Sequence, residues 1–342
     1  MTKARQFPGH TGRTTMHDVA QLAGVSQQTV SRVINGAERV TPETVERVER
    51  AIEKLGFKRN AAARALKTSR SMRLGVISFG TTLFGPATIL FGIIEAARSH
   101  KYSTTLVSLE DKDLRSLRES VELLREENVD GIVVLAPIAG AAAMAELLVN
   151  TVPMVLFEPG LDNGTTSVSV DEVEGARLAT RHLIELGHKT VWHVSGPSGW
   201  LGTEARIAGW QQELSVAGLP MREPIMGDWS VASGYKAGLQ LADQEGVTSV
   251  FVANDQMALG LMRALRDRGL SVPDDISVVG FDDVPEAEYF APALTTVKLD
   301  FSEVGHRCVE RLLDIIDGKE LDPQPAVPPK LRRRLSTSPP RR

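Results

Sequence analysis

The chain of 342 residues has one cysteine, Cys308, so it can form no internal disulfide and no multi-thiol metal site. With thiol chemistry so sparse, a reducing cytoplasm is the expected compartment. No apolar run approaches the roughly 18 residues that a membrane span needs. The opening stretch MTKARQFPGHTGRTT carries basic residues with no apolar segment behind them, so it does not read as a secretory leader. No glycine-rich phosphate loop and no His or Cys cluster at metal spacing occurs, which argues against a nucleotide hydrolase or a metalloenzyme. Ser195, His193 and Asp282 could suggest a nucleophile triad, yet His193 lies within a strand and no strained nucleophile turn accompanies it. The expectation is a protein with no catalytic residues, no metal and no cofactor.

An overall charge of −4 is no mark of a nucleic-acid binder, but its distribution is uneven. Residues 1–70 hold 13 Lys or Arg against 6 Asp or Glu, and the remainder holds 26 against 37. A basic head on an acidic body suits a head that meets phosphates. Within that head, Met16–Ala23 reads as a helix and Gly24 permits a tight turn. Ser26 can then cap a second helix running to Asn35. Val30, Val33 and Ile34 form its inward face. Gln27, Gln28, Ser31 and Arg32 are left on the outside, where bidentate side chains can read base edges in a major groove. Ser31 and Thr29 are better sized for phosphate oxygens. A third helix begins at Thr41-Pro42-Glu43, with Thr41 as N-cap, and shows the stripe Val45, Val48, Ile52, Leu55 before Gly56 ends it. Three such helices can share one small core.

The segment Asn60-Ala61-Ala62-Ala63-Arg64-Ala65-Leu66-Lys67 could form a two-turn helix capped by Asn60, marginal by itself in water. An apolar Leu66 between Arg64 and Lys67 fits a wedge into a minor groove, and equally a linker residue packing on the core.

From Arg73 onward, short β-branched runs alternate with amphipathic helical stretches. Leu74–Phe79, Thr104–Leu109, Gly131–Leu135 and Pro153–Leu156 read as strands, with helices at Ala87–Ser99, Leu114–Glu126 and Ala141–Asn150. A second series has strands at Val168–Val170, Thr190–Val194, Ser249–Val252 and Ile276–Phe281. Helices near Val173–Leu186, Thr203–Ala217, Ser233–Asp243 and Asp255–Arg268 separate them. Two series of four imply two lobes, each a parallel sheet covered by helices, with the cleft between them as the default ligand site. Polar and aromatic residues gather near the strand ends: Glu158, Ser195, Asn254, Asp282 and, beyond them, Arg206 and Trp229. Carboxylate, amide and guanidinium groups beside an aromatic face are the chemistry that recognises a sugar. An acid after a buried strand can also simply cap the next helix, and Asp255 is assigned that role.

The run TTMHDVAQLAGVSQQTVSRVING, with the NAAARALK segment after it, resembles the head of the LacI/GalR repressor family. The pattern D-V-A-x-x-A-G-V-S-x-x-T-V-S-R-V-x-N is matched without a gap. VFVANDQMALGLMRAL, DDISVVGFDD and PALTTVKLDF carry the likeness through the body, from about Thr15 to Leu335. It implies a small all-α helix-turn-helix head and an α/β, periplasmic-binding-protein-like core of two doubly wound parallel-sheet lobes. The corresponding division is a flexible tail to residue 13, a head over 14–58 and a hinge helix with linker over 59–70. The core would span 71–335, with lobe 1 at about 71–161 and 301–325 and lobe 2 at about 162–299 and 326–335. A flexible basic tail would follow over 336–342. By the same likeness the base-reading residues are Gln27, Gln28 and Arg32 and the intercalating residue is Leu66. Thr15, Ser26, Thr29, Ser31, Asn35, Asn60, Arg64 and Lys67 are assigned to the rest of the DNA contact. Arg206, Asn254 and Asp282 would bind hydroxyls of an effector, Trp229 and Phe301 would pack on its ring, and Phe84, Ser195 and the acid Glu158 complete the set. Leu135 and Leu299 stand where polar side chains face the inducer in the family member that the body resembles most, which would alter the hydroxyls recognised.

The implied protein is a repressor that binds a palindromic operator as a homodimer and is released or modulated by a small sugar or glycoside. Dimerisation is expected because one head reads too few bases. The proline-rich end DPQPAVPPKLRRRLSTSPPRR shows no heptads for a tetramer-forming coil. Effector binding would change the spacing of the two hinge segments, and DNA would weaken the effector reciprocally. A transport-type sugar-binding protein is the alternative of another class. A regulator responding to a purine or a phosphorylated metabolite is the third reading.

Overall fold

A computed structural model describes residues 14–34, 40–57, 70–109, 113–135, 151–157 and 166–341. The chain divides into two compact units, Met1–Ser71 and Met72–Arg342. Asn35, the NAAARALK hinge with Asn60, Arg64, Leu66 and Lys67, the helix expected at Ala141–Asn150, and Glu158 all lie outside the described residues.

The first unit holds α1 (Met16–Ala23), α2 (Gln27–Ile34) and α3 (Pro42–Leu55). Thr15 starts α1 with a capping box: its hydroxyl accepts from Asp18 N while the Asp18 carboxylate accepts from Thr15 N at 2.8 Å. Gly24, at φ +65°, ends that helix in the left-handed region that a side chain would strain. Ser26 Oγ accepts from Thr29 N at 3.1 Å and so caps α2 as its sequence suggests. Thr41 differs from expectation: it occupies the N-cap position of α3 without a side-chain cap bond, and its hydroxyl meets that of Thr44 instead. Val19, Ala20, Ala23, Val30, Val48 and Ala51 form the core, flanked by Val33, Ile34, Ile52 and Leu55. So few apolar side chains give a small and marginal core.

The second unit contains two sheets. The first has the order β2-β1-β3-β4-β5, all parallel, from β1 (Arg73–Phe79), β2 (Ser103–Leu109), β3 (Gly131–Leu135), β4 (Met154–Phe157) and β5 (Ser167–Val168). Its described helices are α4 (Phe84–Ser99) and α5 (Leu114–Glu126). The second sheet begins with β6 (Trp192–Ser195), β7 (Ile225–Met226), β8 (Ser249–Val252) and β9 (Ser277–Asp282), and ends with β10 (Thr295–Lys298) and β11 (Lys330–Arg332). Its order is β11-β10-β9-β8-β6-β7, with β11 antiparallel to β10 and the remaining pairs parallel. Around it lie α6 (Glu172–Glu185), α7 (Leu201–Ala217), α8 (Val231–Ala242) and α9 (Asp255–Asp267). A last helix, α10 (Phe301–Ile316), returns to pack on α4, β3 and β4 of the first lobe. Central strands buried along their whole length, such as β3, β8 and β9, are what sheets covered on both faces require.

Three sequence readings are corrected here. The run at Val168 does not open the second lobe: β5 pairs with β4 as the edge strand of the first sheet. The passage between lobes comes just after it, where Val170 bridges Val327 and the crossing segments exchange backbone hydrogen bonds, Val327 N to Ser169 O and Asp171 N to Val327 O. The cap of α9 is Asn254, whose Oδ1 accepts from Met257 N, whereas Asp255 accepts from Val284 N and Thr296 Oγ1 and pins β10 to the loop after β9. Burial among these groups pushes the Asp255 carboxyl well above its ordinary range. The end of the chain is no free basic tail. Ser336 is fully buried, accepting from Thr295 N and donating to Val278 O, and Ser338 O bonds His188 Nε2 at 3.0 Å.

Candidate nucleic-acid interface and ligand cleft

On α2 the outward face carries Gln27, Gln28 and Arg32, all exposed, with Thr29 and Ser31 half-buried. That is the division of labour expected of a reading helix, with long polar side chains outside and Val30 inside. Gln27 Nε2 lies 3.1 Å from His17 Nδ1 of α1, a neighbour that sequence reasoning did not single out. Thr15 and Ser26 spend their side chains on helix caps, which orient α1 and α2 but occupy hydroxyls that had been assigned to DNA.

The two lobes enclose a cleft of about 310 Å³. Arg206, on the second turn of α7, is its electrostatic centre and is 6% exposed. Its Nε donates to Glu172 Oε2 at 2.9 Å, Nη1 donates to Ala253 O, and Nη2 reaches Asp282 Oδ1 at 3.5 Å. The guanidinium carbon lies 4.1 Å from the centroid of the Phe281 ring and 5.4 Å from that of Trp229. Burial works against the cation, but the charges of Glu172 and Asp282 outweigh it and its pKa is raised. Asp282 ends β9 at φ +102°, a conformation costly for a residue with a side chain. Its burial lifts the carboxyl from 3.8 to about 7, with Arg206 pulling down and Glu172 pushing up.

Asn254 donates from Nδ2 to Trp229 O at 3.1 Å while its Oδ1 caps α9, so both ends of the amide are fixed. Trp229 sits at φ +72°, and a Cβ built on Gly196 would come within 2.2 Å of two of its ring carbons. Only a glycine admits the indole there. Trp229 Nε1 and Gln256 Oε1 are buried without a partner among the described residues, although both residues line the cleft. A buried polar atom left unpaired costs about 1–3 kcal/mol, which a polar ligand could recover.

From the opposite side come Phe84 and Phe301, edge-on to each other at 6.2 Å between centroids, together with Ile89 and Phe157. The cleft therefore brings together Phe84, Arg206, Trp229, Asn254, Asp282 and Phe301. Ser195 is not among its lining residues: it is buried and its hydroxyl donates to Gly196 O. Leu135 and Leu299 do not line the cleft either, but pack in the core cluster that also holds Phe157 and Phe301. Glu172 and Trp200 do line it and were not found from the sequence. Glu172 follows β5, whose assignment to the wrong lobe hid it. Trp200 was passed over in the loop that Ser195 begins.

Among the described residues, Ser195, His193 and Asp282 do not form the triad that the sequence could suggest. His193 is 1% exposed and stacked between Trp210 and Phe251, its Nδ1 bonds Phe251 O, and burial lowers its pKa to about 4. Among the described residues no group of three His, Cys, Asp or Glu could hold a metal ion, and no helix is long and apolar enough to cross a membrane.

Comparison with known proteins decides the lineage. Residues 15–60 match the family of bacterial regulatory proteins, lacI family, and residues 180–337 match a periplasmic binding protein-like domain. The lactose operon repressor of Escherichia coli K12 is 34% identical over 326 residues, covering 94% of this chain and 90% of that protein. The chain belongs to the LacI family. It is a DNA-binding transcriptional repressor with a ligand-binding domain, not an enzyme. The transport-type reading falls, because such a protein would not carry this head. Another LacI-family relative, the HTH-type transcriptional repressor PurR of Yersinia pestis, is 35% identical and covers 95% of this chain and 97% of its own length. The crystal structure of the lac repressor dimer bound to operator and the anti-inducer ONPF superposes with a TM-score of 0.86 at 34% identity, covering 96% of this chain and all of that one.

Proposed function

We propose that this repressor binds a palindromic operator as a homodimer and that a small sugar or glycoside in the cleft modulates its hold on DNA. The observation that carries the ligand assignment is the Arg206, Asp282 and Asn254 set, with Trp229 beside it, facing Phe84 and Phe301 across one cavity. Hydroxyls pair with the first three groups while the apolar face of a pyranose packs on the rings. Glu158 is proposed as a further acid of the site. Arg206 is already matched by Glu172 and Asp282, so a phosphorylated ligand would meet two acids and no unmatched cation among the described lining residues. A neutral polyol fits better.

Gln27, Gln28 and Arg32 are the proposed base readers, with Asn35, Asn60, Arg64 and Lys67 on the backbone and Leu66 as the minor-groove wedge. Phe91 on α4, 68% exposed, and the neighbouring Ile94 give the proposed dimer apolar surface to bury. A thermal-shift screen against a panel of mono- and disaccharides, purines and sugar phosphates tests the ligand class, since a ligand specific for the native fold raises Tm. Stabilisation by purines or phosphates alone would overturn the sugar reading. Operator selection followed by salt-dependent anisotropy tests the head. Arg32→Ala should lose about 1–3 kcal/mol against the selected site and relax its sequence preference. An Arg32→Ala protein with unchanged preference would remove that residue from the reading set.

A further inference from the structure

Trp200 has no part in the recognition scheme above. It occupies the N-cap position of α7 and makes no side-chain cap bond there. A small polar residue is the usual choice at that position, because its oxygen can accept from the helix's first N–H groups. The indole instead spans the cleft. Its centroid is 5.4 Å from Phe79 at the carboxyl end of β1 in the first lobe, tilted by 56°. It is 5.9 Å from Trp229 in the second lobe, at 80° between the ring planes. Trp200 is half-buried and lines the same cavity as Arg206.

We infer that Trp200 is a second stacking platform and that the effector carries two rings, as in a disaccharide or an aryl glycoside. This rests on the sugar reading and narrows it. Two indoles at right angles cannot sandwich one ring from opposite sides, but each can offer a face to a different ring. Trp229 lies beside the Arg206 guanidinium, so the ring stacked on it is the one whose hydroxyls Arg206, Asn254 and Asp282 reach. The ring on Trp200 lies farther along the cleft, on the part of the indole that Phe79 leaves uncovered. There recognition is by an aromatic face, which tolerates either a pyranose or a phenyl group. A bulky apolar N-cap forgoes a helix-capping bond, and ligand contact gives a reason for that loss.

The test uses the full chain and titrates methyl and phenyl β-glycosides of glucose and galactose, with lactose and cellobiose, into the wild type, Trp200→Ala and Trp200→Phe. Two-ring ligands should bind roughly three- to tenfold tighter than the matching methyl glycoside, the size expected of one aromatic contact. Trp200→Ala should bring two-ring ligands down to the affinity of the matching methyl glycoside, and Trp200→Phe should restore most of the difference. Circular dichroism melts confirm that both variants fold. Binding of no sugar at all overturns the sugar reading and this inference together. A two-ring preference that survives in Trp200→Ala, or an equal loss for methyl and phenyl ligands, overturns the inference alone.

Discussion

The two walls of the cleft are made differently. The second lobe supplies Glu172 at the start of α6, and Arg206, Asn254, Gln256, Asp282 and both cleft tryptophans from the segments that follow its strands. The first lobe, with α10 packed on it, supplies Phe84, Pro86, Ile89, Phe157 and Phe301, and Thr82 is its one polar side chain among the described lining residues. One wall fixes identity through directed, partly charged hydrogen bonds. The other presents apolar area that gains from contact with almost any ring. Under the proposed function, the second lobe is the wall that reads the ligand and the first the wall that covers it. Linkage then requires that whatever effect the ligand has on DNA affinity, DNA has on ligand affinity.

The strongest way to break this asymmetry is Arg206→Ala. It leaves Glu172 and Asp282 buried and facing each other without their cation, and removing one partner from such a buried set costs about 3–5 kcal/mol. The expected outcome is a lowered Tm and loss of measurable ligand binding by calorimetry. A variant that melts like wild type would show that the network is not what holds the polar wall. Next in size is Phe301→Ala in the opposite wall. This ring is 4% exposed and packs in the core, so its loss should cost about 3 kcal/mol of stability through the cavity left behind. Affinities for all bound sugars should fall by a similar factor, because the ring carries no hydrogen bond to discriminate them. A change in sugar preference would contradict the division between a reading wall and a covering wall.

How much of this was legible beforehand follows the same division. The apolar side was easy: α1, α5, β3 and β8 fall on the residues that periodicity and β-branched runs indicate. Phe301 and Trp229 were reachable through the family resemblance. Failures cluster where a side chain's partner is distant in sequence. Glu172 meets Arg206 across 34 residues and Asp255 meets Thr296 across 41, so neither pairing has a local signature. Ser195 read as an effector-binding group at a strand end but turns to Gly196 O. The terminal segment read as a basic tail because its arginines are conspicuous, while its anchoring groups, Ser336 and Ser338, are small and meet His188 and β9 from far along the chain. Short strands gave a related difficulty: β5 is two residues long, and a run of that length cannot declare which sheet it joins.

The smallest predicted effect is the sharpest test of the polar wall, because it reads one proton. Asp282 titrates near pH 7 in the folded protein against 3.8 for an unperturbed carboxyl. Between those values the folded state binds the extra proton, so this group's contribution to stability is full below about pH 4 and is lost as pH rises toward 7. Asp282→Asn mimics the protonated form, so its stability relative to wild type should climb across that window and flatten above it. A sugar hydroxyl donating to Asp282 prefers the carboxylate, so wild-type affinity should rise about tenfold from pH 6 to pH 8 and be nearly flat in Asp282→Asn. The Glu172 charge helps to raise Asp282, so Glu172→Gln should move the midpoint of that rise below 7 while keeping a hydrogen-bonding side chain beside Arg206. A midpoint unmoved by Glu172→Gln would mean that burial alone sets the proton on Asp282, and that Glu172 serves only to hold the guanidinium.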